Sequence, residues 1–338
     1  MKPKILLIYT GGTIGMMSDP NTGELQNLDF AYIHNQIPEL NRLDVVLTTI
    51  SIQLPVDSSH MTPSVWLEIA SIIASNATKY DGFVLLHGTD TMAYTASALS
   101  FLIQGFKKPI VLTGSQLPIG VLRSDGKENL LTAIEIAGKK NEEGFSALHE
   151  VAVFFQSKLF RGNRTSKVSS HQFDAFDSPN YPLLGSAGVT IALDSTRLLS
   201  TGLLEPQFYK QLEPRVGLLK LYPGINLKGY SSMFNPENHR AVVLETFGSG
   251  NTPNDSSFGE VLQAYVENGG VLVNTSQCTS GGVQPGKYAS GHLLKALGAW
   301  DGKDLTTEAA ITKLMWLFGN FPTVKESDFT NVVAGESL

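Results

Sequence analysis

The sequence predicts an α/β protein in two parts, a larger N-terminal parallel-sheet domain followed by a smaller C-terminal α/β domain. Three observations carry that reading. Short apolar runs bounded by glycine or turn residues alternate with longer segments of helical period, the pattern of βαβ units around a largely parallel sheet. The alternation stops in a turn-rich stretch from Ser178 to Gly188 and restarts after a connecting segment that ends near Pro214. The length of 338 residues suits about two domains. The expected division is residues 1–190, a linker over 191–212, and residues 213–338.

Lys4 to Tyr9 opens the chain as a strand, because Ile5-Leu6-Leu7-Ile8 is continuously apolar and runs into the turn signal Gly11-Gly12. Val45 to Ile50, Gly82 to His87, Pro109 to Thr113 and Val151 to Gln156 follow as further strands. Pro63 to Asn76 reads as a helix, with Thr62 as N-cap and Pro63 at the first helical position, where a missing N–H is harmless. Thr91 to Gln104 reads as another, ended by Gly105. In the second part the strands are Val216 to Leu221, Ala241 to Thr246 and Val271 to Asn274. Its helices are Ser257 to Glu267, stopped by Asn268-Gly269-Gly270, then Gly291 to Leu297 and Thr306 to Phe318.

Composition narrows the class. Apolar residues make up 42% and charged residues 17%, as in an ordinary globular chain, and one cysteine excludes an internal disulfide framework or a four-cysteine zinc site. The balance of 25 Lys plus Arg against 31 Asp plus Glu, a net charge of −6, has the wrong sign for a nucleic-acid partner. The apolar run Ile5 to Ile8 is too short for a signal-peptide core and no small-residue cleavage site follows it. No apolar run approaches the roughly 18 residues of a spanning helix, so no membrane partner and a cytoplasmic location are expected. The histidines, at 34, 60, 87, 149, 171, 239 and 292, show no i, i+4 pair, and no metal is expected.

In open parallel sheets ligands bind beyond the carboxyl ends of the strands. Chemistry-bearing residues follow three of the predicted strands: Thr10-Gly-Gly-Thr-Ile-Gly15, Gly88-Thr-Asp-Thr91 and Gly114-Ser-Gln116. Glycines at 11, 12 and 15 let the backbone approach a ligand, with the Thr13 hydroxyl among amide N–H groups. On spacing alone, a glycine-rich turn without chemistry stands level with this reading. Thr89 and Asp90 also fit as helix-capping residues. A hydroxyl nucleophile needs a base, and Arg161-Gly-Asn-Arg-Thr-Ser-Lys167 offers one if a hairpin after Val151 to Gln156 brings Lys167 back over the sheet edge, although composition favours a solvated basic turn. Asp57-Ser58-Ser59 also suits a surface turn. Gly281 to Tyr288 nearly spells a phosphate-cradling loop, but Tyr288 stands where Ser or Thr would hold magnesium and Pro285 lacks an amide, so nucleotide binding is rejected.

Taken together, Thr10-Gly-Gly-Thr-Ile-Gly15 and His87-Gly-Thr-Asp-Thr91 in this order resemble the bacterial-type L-asparaginases over essentially the whole chain. Asp57-Ser-Ser59, Leu112-Thr-Gly-Ser-Gln116, Arg161 to Lys167, Phe247-Gly-Ser-Gly-Asn251 and Gln277-Cys278 are more similar to the cytoplasmic type I branch than to the secreted type II enzymes. The resemblance implies an asparaginase-like fold and hydrolysis of the asparagine side-chain amide, with no cofactor. It implies Thr13 as nucleophile and Thr89, Asp90 and Lys167 as a second triad. Asp57, Ser58 and Asp90, with Ser59 and Thr89 beside them, would hold the substrate's α-amino and α-carboxylate groups, with Ser115 near its amide.

Residues 16–31 contain no tyrosine, where type II enzymes carry one, and Tyr288 is taken as its substitute. A homodimer or homotetramer is implied, Asn251 matching a contact across subunits. Some type I relatives also form an effector site, whose matching positions here are Gln116, Glu245, Ser276, Gln277 and Cys278. Glu245 stands where the family pattern has arginine.

Two competing readings are a tRNA-dependent amidotransferase subunit, whose relatives carry an extra domain ahead of the first threonine, and an asparagine-binding sensor without turnover. The first is disfavoured by how near Thr13 lies to Met1, the second by the presence of every hydroxyl, carboxylate and amine that the chemistry needs.

Overall fold

The computed structural model describes residues 1–12, 16–18, 25–27, 37–200, 205–253, 256–284 and 291–338. They form two compact units, Met1–Lys210 and Gln211–Leu338.

In the first unit the strands are β1 (Lys4–Tyr9), β2 (Met16–Ser18), β3 (Leu25–Asn27), β4 (Val46–Ser51), β5 (Gly82–Leu86), β6 (Ile103–Gln104) and β7 (Ile110–Thr113). They continue with β8 (Val151–Phe155), β9 (Lys158–Arg161), β10 (Ser166–Lys167), β11 (Phe176–Asp177), β12 (Gly185–Ala187), β13 (Ile191–Leu193) and β14 (Gln207–Phe208). The main sheet has the order β13-β12-β9-β8-β7-β5-β1-β4. From β4 to β8 every pairing is parallel, whereas β8–β9, β9–β12 and β12–β13 are antiparallel.

The sheet is thus largely parallel, as expected, with an antiparallel edge beyond β8. The cause is the link between β8 and β9, only Gln156 and Ser157, both at positive φ (47° and 64°). Two residues can close a hairpin and cannot carry a crossover to a parallel strand.

Helix α1 (Pro63–Asn76) has its expected bounds, although the Thr62 hydroxyl pairs with Ser64 Oγ at 2.8 Å and makes no side-chain capping bond to the backbone. Helix α2 (Met92–Leu102) ends before Gly105 because Ile103–Gln104 turns into an extended ribbon with β14. Helix α3 (Gly126–Gly138), which sequence reasoning missed, lays Leu130, Ala133, Ile134 and Ala137 against Ile5, Leu7, Val84 and Val111 of the sheet. Burial of Leu130 and of Ile134 contributes about 1.5–3 kcal/mol each. The segment expected to be a linker is structured: β13 is one of the sheet's two edge strands and β14 pairs with β6.

The second unit is a four-stranded sheet in the order β15 (Val216–Lys220), β16 (Ala241–Thr246), β17 (Val271–Ser276), β18 (Trp300–Asp301), all parallel. Helices α4 (Ser256–Glu267), α5 (His292–Ala296), α6 (Thr307–Asn320) and α7 (Glu326–Thr330) complete it. Its core joins Leu219, Val242, Leu244 and Leu272 to Phe258, Leu262 and Tyr265 of α4.

Candidate active site

Strands β1, β5 and β7 are consecutive neighbours and parallel, so the segments after them, beginning at Thr10, His87 and Gly114, emerge side by side at one sheet edge. Strand order reverses around β1, with β4 on one side and β5 on the other, and such a switch point opens a crevice.

Thr10 ties the first segment down: its amide and hydroxyl both donate to Leu86 O, at 3.0 and 2.9 Å, and its carbonyl accepts Val56 N at 3.0 Å. Gly11 and Gly12 then take φ of 111° and 88°. A Cβ on Gly11 would sit 2.0 Å from Val56 O, and one on Gly88 would sit 2.5 Å from Ser58 Oγ. Only glycine lets these loops close on one another. Thr13, next in the chain, lies outside the described residues, as does Tyr288.

Asp57 caps the short turn Ser58–His60, its Oδ1 accepting Ser59 N at 2.8 Å and Ser59 Oγ at 2.7 Å. Those bonds, the hydroxyl's foremost, hold the Asp57 carboxyl below the usual aspartate range. Asp57 is therefore an exposed, ionised acceptor beside buried Ser58. Thr91 Oγ1 donates to Ser58 O at 2.7 Å, locking this turn to the entry of α2.

His87 is fully buried, and its protonation can be assigned from its neighbours. Trp66 Nε1–H donates to Thr95 Oγ1 at 2.9 Å, which leaves the Thr95 hydroxyl proton for His87 Nε2 at 2.8 Å. The ring proton is then on Nδ1, 2.6 Å from Gly88 O. Burial pushes His87 down from 6.5 to about 4, keeping it neutral. It fixes the Gly88 carbonyl, one residue before Thr89.

Lys167 Nζ lies 2.7 Å from Thr89 Oγ1 and 2.7 Å from Asp90 Oδ1. The β8–β9 hairpin does return the chain to this edge. The stretch that composition alone favours as a solvated basic turn is buried, with Arg161 4%, Asn163 0% and Arg164 1% exposed. It is buried because its charges find partners, Arg161 pairing with Glu150 at 2.7 Å. The Thr89 hydroxyl donates to Gln116 Oε1 at 3.2 Å, and Gln116 Nε2 donates to Gln172 O at 2.9 Å. Gln116, expected at an effector site, thus also touches Thr89. Ser115 is 1% exposed, and its Oγ has no partner among the described residues.

The remaining predicted residues lie in the second unit. Asn251 closes a tight turn by backbone pairing with Phe247. Gln277 Nε2 donates to Leu221 O and Glu245 O at 2.6 and 2.8 Å, Ser276 Oγ donates to Gly248 O at 2.6 Å, and Cys278 is exposed, its amide on Ser276 Oγ at 2.9 Å. Glu245 accepts Thr307 Oγ1 at 2.5 Å and lies 3.8 Å from Lys220 Nζ.

Among the described residues no cluster of His, Cys, Asp and Glu could hold a metal ion, and no helix is long and apolar enough to cross a membrane. The residues that sequence reasoning missed, Glu150, Tyr181 and Arg197 around Arg161, are recognisable only once the chain is folded.

A threonine, an aspartate and a lysine held together beside a glycine-hinged turn at the switch point of such a sheet define the class, and the chain belongs to the asparaginase family. Residues 4–198 match the family model described as Asparaginase, N-terminal, and residues 215–328 the one described as Glutaminase/Asparaginase C-terminal domain. The chain is 42% identical over 322 residues to L-asparaginase 1 of Escherichia coli strain K12, covering 94% of this chain and 92% of that one. It is 40% identical over 339 residues to the 60 kDa lysophospholipase of Mus musculus, covering 94% of this chain and 58% of that one. The crystal structure of L-asparaginase I from Vibrio cholerae O1 biovar eltor superposes with a TM-score of 0.88 at 36% identity, covering 100% of both chains.

Proposed function

We propose that the chain hydrolyses the side-chain amide of L-asparagine to L-aspartate and ammonia in the cytoplasm, through an acyl-enzyme on Thr13. The observation that carries this reading is the Lys167 ammonium lying 2.7 Å from both the Thr89 hydroxyl and the Asp90 carboxylate. Thr13 Oγ attacks the amide carbon, its proton passes to the nitrogen, and the C–N bond breaks to release ammonia and leave an ester. Water then adds to the ester and, as the C–O bond to Thr13 breaks, its proton passes by way of the Thr89 hydroxyl to Thr13 Oγ, freeing aspartate and restoring the Thr13 hydroxyl, while the Lys167 ammonium donates to Thr89 Oγ1. A hydroxyl or water is a poor nucleophile at neutral pH, which is why a lysine held on a threonine matters.

Charge orients the substrate. The α-ammonium pairs with the Asp57 and Asp90 carboxylates, and the α-carboxylate takes the Ser58 hydroxyl, with Ser59 and Thr89 beside it. The unpartnered Ser115 Oγ meets the amide, recovering part of the roughly 1–3 kcal/mol that a buried unsatisfied group costs. The site is completed in a homodimer or homotetramer, with Asn251 and Tyr288 reaching it from a second copy.

The test is ammonia release from asparagine by the purified protein. Thr13→Ala, Thr89→Val and Lys167→Met each lower turnover by ~10²–10⁴-fold with the fold intact; unchanged turnover in Thr13→Ala removes Thr13 as nucleophile. Sedimentation of a fully active monomer at assay concentration overturns the oligomeric part.

A further inference from the structure

We propose that Arg161 is a positioning residue for Lys167: clamped by Glu150, Arg197 and Tyr181, its guanidinium fixes the buried turn that delivers the Lys167 ammonium to Thr89 and Asp90. This rests on the role given to Lys167 above.

Arg161 ends β9, opposite Ala152 of β8. The chain then makes a single 3-10 turn over Gly162–Arg164, closed by Thr165 Oγ1 donating to Arg161 O at 2.6 Å. Lys167 follows at once, paired with Phe176 across β10–β11. The lysine stem is flexible, so where Nζ rests depends on how firmly this short backbone is held.

Contacts with Glu150, Arg197 and Tyr181 hold it. Arg161 Nε donates to Glu150 Oε2 at 2.7 Å, Nη2 donates to Arg197 O at 2.7 Å, and the guanidinium carbon lies 4.2 Å from the Tyr181 ring centre. Each partner is itself tied: Glu150 Oε1 accepts Leu199 N at 2.8 Å, and Tyr181 OH donates to Arg197 O at 2.8 Å.

The same turn is pressed against α2, the helix whose entry carries Thr89 and Asp90. A Cβ on Gly162 would lie 3.0 Å from Val151 O and 3.1 Å from Ala96 Cβ. Ammonium and hydroxyl are thus both referenced to one helix.

Stability alone does not call for this arrangement. The Arg161 and Glu150 side chains are 5% and 2% exposed, and an apolar pair of equal volume commonly fills such a space without loss. What apolar side chains lack is the directional fork that sets one backbone against three others.

The experiment is a double-mutant cycle on ammonia release, with thermal melts to confirm folding. Arg161→Lys keeps a cation for Glu150 but loses the fork; kcat should fall ~10-fold, the scale of a sub-ångström misplacement, with KM for asparagine within about twofold. In a Lys167→Met background the same substitution should lower the residual rate no further. Full additivity there, or an unchanged kcat in folded Arg161→Lys, overturns the proposal. Should Arg161→Lys not fold, Tyr181→Phe, which keeps ring and ion pair but removes one of the two donors to Arg197 O, is read the same way. Unchanged turnover in Lys167→Met alone is a separate failure, of the role given to Lys167.

Discussion

Gly12 rests on Gly88 so closely that a Cβ on Gly12 would lie 2.3 Å from the Gly88 amide nitrogen and 2.4 Å from its Cα. The opposing atoms are backbone and cannot rotate away. Gly12→Ala should therefore cost about 1–3 kcal/mol for the overlap on top of about 1–2 kcal/mol for an alanine at positive φ, and should displace the loop that leads to Thr13. Gly144→Ala is the control, since Gly144 has φ +84° with nothing within 4 Å, so only the backbone strain applies. Urea midpoints of the two variants separate overlap from strain, and equal losses would refute the contact argument.

His87 makes stability depend on pH in a defined window. Its folded-state value, lowered from 6.5 to about 4 by burial and only partly offset by the Gly88 carbonyl, means that the unfolded chain binds a proton that the folded chain refuses. The contribution is present in full above pH 6.5, falls away as pH drops from 6.5 towards 4, and is complete in its loss below that. Its size is about 3 kcal/mol. Urea unfolding of the wild type and of His87→Gln at steps across this window checks it; the variant should show a flatter slope.

A second buried device anchors the C-terminus. Lys313 and Glu336 form an ion pair with side chains 1% and 0% exposed. Lys313 Nζ also donates to Asn331 O at 2.6 Å, and Glu336 Oε2 accepts Ala334 N at 2.8 Å. Glu336→Gln leaves an uncompensated ammonium in the core of the second unit and should cost ~3–5 kcal/mol. The double change Lys313→Met with Glu336→Leu should cost less than the single one, as measured by denaturant midpoints. A larger loss in the double variant would mean that the pair stabilises the unit beyond satisfying its own charges.

How far the sequence could be read depended on whether the signal was local. Strands such as Lys4–Tyr9 and Ala241–Thr246 matched because a buried strand is a continuous apolar run. Helix α3 was missed because Pro118, Gly120 and Ser124 crowd its approach, although Leu130, Ala133, Ile134 and Ala137 keep helical spacing. The hairpin at Gln156-Ser157 was inferred from where Lys167 had to return and not from its turn residues, since it carries neither glycine nor asparagine, the residues that usually mark two positive φ values in succession. The Lys167 contact followed from one inferred hairpin. The clamp on Arg161 joins residues 11 and 36 positions away, and nothing local announces it.

Glu245 bears on regulation. The resemblance to type I asparaginases implies an effector site in which an arginine at this position grips the effector's carboxylate. Here the position is an acceptor, on the parallel strand β16, with its side chain 15% exposed. Its carboxylate accepts the Thr307 hydroxyl at 2.5 Å and lies 3.8 Å from the Lys220 ammonium. Those contacts hold the carboxylate in place and occupy the nearest cation. A guanidinium offers two parallel donors to an anion, whereas a carboxylate offers none and repels it. An effector shifts an equilibrium only by its differential affinity for two states, and losing the clamp removes the main source of that difference. Initial rate against asparagine concentration in dilute buffer should therefore be hyperbolic. A clearly sigmoidal curve, with a Hill coefficient well above one, would show that the effector is held by groups other than the one that Glu245 replaces.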